Sequence, residues 1–291
     1  PAMSVSLLCN FLPTWLEYTI CIFGMVLFKN ELVKQLKRFE FGGIAMTMKY
    51  EATENVSKEN SHVMWTNVLL TDSGFFNPFN LRQPFHAIID RFSEMFGRPF
   101  SDARVLFIPT AAYDDEAQKI AFLLRKELMW MGFKPENITT YNLDGKMTKD
   151  MALTYDIMYF SGGWAGHLLK EIRRTEFDEI IKAFVFENKV YVGMSAGSIV
   201  ATPNIMGCFG QPNNPETEGL GFIKAYVDCH CNMKPNLKPL ELSLPHIMLY
   251  MNQALAVTNF GYELIEEKEA YHTVDWKKPP VIFVDIFNDK I

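Results

Sequence analysis

From residue 67 onward one pattern repeats. Short, almost uninterrupted apolar runs alternate with longer stretches whose apolar residues recur every three or four positions. The first kind reads as a strand buried on both faces, the second as a helix with one buried stripe. Residues 67–70 predict a short strand and 85–95 a helix. Residues 104–109 (RVLFIP) predict a buried strand, and 114–131 a long amphipathic helix closed by Gly132. Strands are expected at 138–142 and 156–160, the second ending in Ser161-Gly162-Gly163. Helices are expected at 167–174 and 177–188, and a strand at 190–192 that runs into Gly193. Past Ser195 the pattern loosens. It suggests a strand at 223–230, a helix at 246–256, and β segments at 263–267 and 281–284.

Buried strands alternating with helices make a mostly parallel sheet covered by helices on both faces. Right-handed crossovers then give a doubly wound α/β fold. This domain is expected over residues 64–291, leaving 1–63 as an N-terminal apolar segment and linker. Residues 5–28 are apolar apart from Glu17 and a few small polar groups, and Lys29, Lys34, Lys37 and Arg38 follow. Membrane contact through this segment is one reading. Pro13 and Glu17 interrupt the run, so an interfacial helix, or a leader outside the folded domain, competes with it.

Charge narrows the partners. The net charge is -6 and no dense Lys/Arg cluster stands out, so nucleic acid is not an expected partner. The five cysteines are odd in number and include no CxxC pair, which favours reduced thiols and a cytoplasmic setting. Cys229-His230-Cys231 suggests a metal at first sight. In a strand, alternation would turn His230 away from both thiols, so no metal is expected.

The chemistry centres on Gly193-Met194-Ser195-Ala196-Gly197. A serine between a Val-rich strand and a helical run must turn sharply, and Gly193 and Gly197 give that turn room. The turn lifts the hydroxyl above the carboxyl edge of the sheet, where α/β sites form. Gly162-Gly163 ends the preceding strand, so its loop is expected beside Ser195. Backbone N–H groups of Gly163 and Ala196 would then form an oxyanion hole. A serine nucleophile needs a base. Among six histidines, His62, His86 and His167 are poorly placed, leaving His230, His246 and His272, with His230 at a strand end. Glu267, Glu266, Asp228 and Asp275 are all open as the acid that orients it.

Several ordered stretches carry a resemblance: LLTDSGFFNP (69–78), VLFIPTAAYDDEA (105–117), YDIMYFSGGWAGHLL (155–169), YVGMSAGSIVATP (191–203) and GLGFIKAYVDCHCN (219–232). Together they resemble the peptidase E family of serine peptidases, the α-aspartyl dipeptidases and their relatives. The resemblance implies a class I glutamine amidotransferase-like fold, a Ser-His-acid triad and a small peptide substrate, with no cofactor. It matches Ser195 to the nucleophile, His230 to the base, and Gly163 and Ala196 to the oxyanion donors. Glu267 is the best match to the acid, with Glu266 second. A homodimer is one assembly it allows. A cyanophycinase-like hydrolase of the same superfamily and a non-catalytic binding protein are the alternatives. Two departures bear on the substrate. Trp164-Ala165 stands where the family has Asn-Thr, and no arginine follows Arg174 to clamp an acidic side chain. Trp164, Lys234 and Lys238 are the substrate-binding candidates that remain.

Overall fold

The computed structural model describes residues 67–207, 214–233, 242–258 and 261–268. The expectations for residues 1–63, Lys234, Lys238, Asp275, His62, His272 and the 281–284 segment lie outside these residues. β1 (Val68–Thr71) is followed by a hairpin of β2 (Phe76–Asn77) and β3 (Asn80–Pro84), then α1 (His86–Phe96). β4 (Val105–Ile108) leads into α2 (Asp115–Trp130), and β5 (Ile138–Thr140) into α3 (Lys149–Ala152). β6 (Ile157–Phe160), α4 (Ala165–Arg174) and α5 (Phe177–Phe186) precede β7 (Val190–Met194) and α6 (Ala196–Val200). β8 (Tyr226–Asp228), β9 (His246–Met248), β10 (Gln253–Thr258) and β11 (Gly261–Glu266) complete the order.

Seven strands form one sheet in the order β11-β10-β1-β7-β6-β4-β5. β1, β7, β6, β4 and β5 run parallel, and β10 and β11 extend the sheet antiparallel. The central strands are buried throughout, which explains their uninterrupted apolar composition. Strand alternation then sorts them into two cores. Leu69, Val105, Phe107, Tyr159 and Val192 pack with Phe92 of α1 and Leu124 and Leu128 of α2. Leu70, Leu106, Ile108, Met158 and Phe160 pack with Leu168 of α4, Phe184 of α5 and Val200 of α6. This is the doubly wound α/β architecture expected from the sequence.

Local chemistry sets the long helix. Asp114 caps α2 by accepting the Ala117 N–H at 2.8 Å, and Asp115 and Glu116 lie in its first turn. Gly132, at φ 102°, takes the left-handed conformation just beyond its end.

The predicted helix at 246–256 is not formed. His246–Met248 is a strand paired in parallel with β8, and Gln253–Thr258 is a sheet strand between β1 and β11. The apolar run HIMLYMNQALA cannot by itself separate a helix from two short strands around a turn. The predicted strand at 223–230 is shorter than expected and ends at Asp228.

Among the described residues, no helix is long and apolar enough to cross a membrane. No group of three His, Cys, Asp or Glu that could hold a metal is found among them either.

Candidate active site

Three adjacent strand ends build the site. Thr71 of β1 pairs with Met194 of β7, so Asp72 and Ser195 take the next positions on neighbouring strands. Phe160 of β6 pairs with Gly193, which brings Gly162 beside Ser195 from the other flank. A Cβ placed on Gly162 would lie 3.3 Å from the Ser195 Cβ and 2.5 Å from the Met194 sulfur. Only glycine allows the β6 loop this close.

Ser195 has φ 48° and ψ -103°, a conformation L residues rarely adopt. The surrounding hydrogen bonds enforce it. Ser195 N–H donates to the Thr71 carbonyl at 3.0 Å, and the Ser195 carbonyl accepts from Ser198 and Ile199 N–H at 2.9 Å each. Ser198 Oγ lies 2.8 Å from the carbonyls of both Thr71 and Gly193. The glycines either side of the turn have steric reasons to be glycine. A Cβ on Gly193 would sit 2.5 Å from the Gly197 carbonyl, and one on Gly197 2.5 Å from the Phe160 carbonyl oxygen.

His230 comes from the far side of the chain. β8 ends at Asp228, and the backbone then leaves strand geometry, with His230 at φ 59°. The alternation expected of Cys229-His230-Cys231 therefore does not apply, although both cysteines are buried and His230 is not. His230 Nε2 lies 2.7 Å from Ser195 Oγ. On the other side of the ring, Nδ1 lies 3.3 Å from Asp72 Oδ2. Asp72 is fully buried; its Oδ1 accepts the His230 backbone N–H and its Oδ2 accepts the Ser73 hydroxyl at 2.7 Å. A neutral imidazole with its proton on Nδ1 fits this frame, leaving Nε2 to accept from the serine.

The acid that the structure sets against the His230 ring is Asp72, which the sequence reading did not consider. Glu267 Oε2 accepts the Ala87 N–H at 3.0 Å, in the first turn of α1. That turn has no side-chain cap and no acidic residue of its own, so Glu267 supplies the missing anion from across the fold. Glu266 accepts from Gln253 Nε2 at 3.3 Å, and Asp228 lies 3.9 Å from His246. Asp72 went unnoticed because it follows an ordinary apolar strand, 123 positions before the serine. The clue was a charged residue ending a buried strand in Thr71-Asp72-Ser73-Gly74.

The oxyanion candidates lie where the loops suggested. Gly163 has φ 138°, and its Trp164 neighbour donates N–H to the Ala111 carbonyl at 2.9 Å. Among the described residues, neither the Gly163 nor the Ala196 N–H has an acceptor within the protein. Both donors remain available to a developing oxyanion.

Below the Asp72 loop lies a second carboxyl. Glu127 of α2 is buried and accepts the Phe75 N–H at 3.1 Å. Burial pushes its pKa well above the ordinary carboxylate range, against the smaller opposing effect of that N–H. Burial likewise pushes the nearby Tyr159 phenol up.

Known proteins share this arrangement of elements. Residues 69–255 match the model for peptidase family S51. The chain belongs to this family. An uncharacterized peptidase of Listeria monocytogenes is 32% identical over 127 residues, covering 43% of this chain and 60% of that protein. One from Pasteurella multocida is 26% identical over 125 residues, with the same two shares. The match thus spans about three fifths of these curated relatives. A crystal structure of a candidate peptidase E from Listeria monocytogenes superposes with a TM-score of 0.53 at 21% identity, covering 69% of this chain and 98% of that one. A peptidase from an acI-B1 Actinobacterium gives 0.51 at 19% identity, covering 70% and 88%. The membership agrees with the peptidase E resemblance in the sequence.

Proposed function

We propose that the chain is a serine exopeptidase that hydrolyses small peptides through an acyl-enzyme. One observation carries the reading: Ser195 Oγ lies 2.7 Å from His230 Nε2 while Nδ1 of the same ring faces the buried Asp72 carboxylate at 3.3 Å. Membership of a serine peptidase family supports it.

His230 takes the Ser195 proton as the hydroxyl attacks the peptide carbonyl. The Gly163 and Ala196 N–H groups receive the oxyanion. Asp72 fixes the ring tautomer and stabilises the imidazolium that forms. His230 then protonates the leaving amine, and water, activated by the same ring, releases the acyl group. Every proton in this cycle passes through one imidazole.

The test is hydrolysis of a dipeptide library by the wild type and by Ser195→Ala. Turnover lost in the variant, with its fold intact by circular dichroism, supports the reading. Hydrolysis that survives at the wild-type rate overturns it.

A further inference from the structure

We propose that the groove formed by Tyr113, Asp114, Gly163 and Trp164 binds the cationic side chain, arginine or lysine, of a peptide residue next to the scissile bond. This deepens the serine-peptidase reading and rests on it. The groove is a cavity of about 390 Å³ lined by these four residues. Gly163 belongs both to its wall and to the loop that flanks Ser195, so an occupant lies beside the reacting carbonyl.

The walls are negative in two ways. Tyr113 and Trp164 are 56% and 58% exposed, and their ring centroids are 5.4 Å apart. Two large aromatic rings left this open next to the Gly162-Gly163 loop form a surface suited to a ligand. Aromatic faces carry negative quadrupole charge and attract cations, guanidinium most of all. Asp114 is the charged residue of the four, and its bond to the Ala117 N–H fixes its carboxylate in place.

The aromatic pair is also pre-positioned. The Trp164 backbone N–H donates to the Ala111 carbonyl at 2.9 Å, joining the two loops that carry Tyr113 and Trp164. Gly166 has no side chain, which leaves the space the indole occupies. A Cβ there would come within 3.1 Å of Trp164 Nε1. His167 packs against both rings, its centroid 6.4 Å from that of Trp164 and 5.8 Å from that of Tyr113. An acidic side chain would meet Asp114 as a like charge. The groove therefore selects against the aspartate that the peptidase E resemblance implies.

The experiment compares kcat/KM for matched dipeptides carrying Arg, Lys, norleucine or Asp on either side of the bond. Cationic peptides are expected to exceed their norleucine counterparts by ~10-fold or more. Trp164→Ala and Asp114→Asn should each reduce that ratio by ~5-fold or more, and asparagine keeps the helix cap. Preference for Asp or norleucine, or equal losses on all peptides, overturns the proposal. Calorimetry on Ser195→Ala with Arg-containing dipeptides separates the two readings. Binding weakened by Trp164→Ala in that background supports the groove even where the wild type turns nothing over. Turnover of neutral or acidic peptides without cation preference keeps the peptidase and rejects the groove.

Discussion

A single buried carboxylate, that of Asp72, grips His230 twice: Oδ1 accepts the backbone N–H and Oδ2 lies 3.3 Å from the ring Nδ1. It thereby sets both the backbone turn that presents the histidine and the face the ring shows to Ser195.

Asp72→Asn is expected to lower kcat/KM by two to four orders of magnitude, since the amide favours the wrong ring tautomer; loss of the acid in a triad is worth up to ~10⁴. Glu267→Gln keeps an acceptor for the Ala87 N–H and should change the rate less than about threefold, while removing charge from the first turn of α1 costs about 0.5 kcal/mol. Steady-state kinetics and denaturant melts of both variants check this. The reverse ranking would return the acid's role to Glu267.

Ser195 occupies a positive-φ conformation that glycine adopts more readily than any residue with a Cβ. Ser195→Gly should therefore be more stable than Ser195→Ala by about 1 kcal/mol, with both inactive. Chemical denaturation of the pair measures the difference. Equal stability would mean that the turn carries no strain.

A Cβ on Gly163 would fall 2.1 Å from the Ala111 carbonyl oxygen. Gly163→Ala must push the two loops apart and carry the oxyanion donor with them. The expected cost is about 2–3 kcal/mol in stability and on the order of 10²-fold in kcat. A variant with full kcat would remove Gly163 from the proposed oxyanion hole.

Glu127 binds its proton more tightly folded than unfolded, because burial raises its pKa. Its contribution to stability is complete below the ordinary carboxylate range and is lost as pH rises toward the raised value. Thermal melts from pH 4 to pH 9 should show the wild type losing ground to Glu127→Gln as the pH rises. Parallel curves for the two proteins would show that Glu127 titrates normally.

Much of this was legible in the sequence because the central strands carry no ambiguity. VLFI, IMYF and VYVGM are buried on both faces, so their apolar runs admit one reading. Ser195 and the Gly162-Gly163 loop could be read for a related reason, since consecutive strands in α/β folds are often neighbours. Asp72 could not. β1 and β7 are far apart in the chain, and only the sheet order places them side by side. Glu267 drew attention because it follows a strand soon after His230; that strand lies at the sheet edge, with β10 between it and β1. His246–Ala256 failed at a turn, where Leu249–Asn252 separates two strands that together mimic one helical stripe.

The sheet order has a consequence for synthesis of the chain. The strand that leads to Ser195 is inserted between β6, made shortly before it, and β1, made first. The histidine follows 35 residues after the serine and is anchored through Asp72 at the end of that first strand. A growing polypeptide therefore emerges from the ribosome with Ser195 and Asp72 ahead of His230. The three side chains can come together only after β8 has left the exit tunnel.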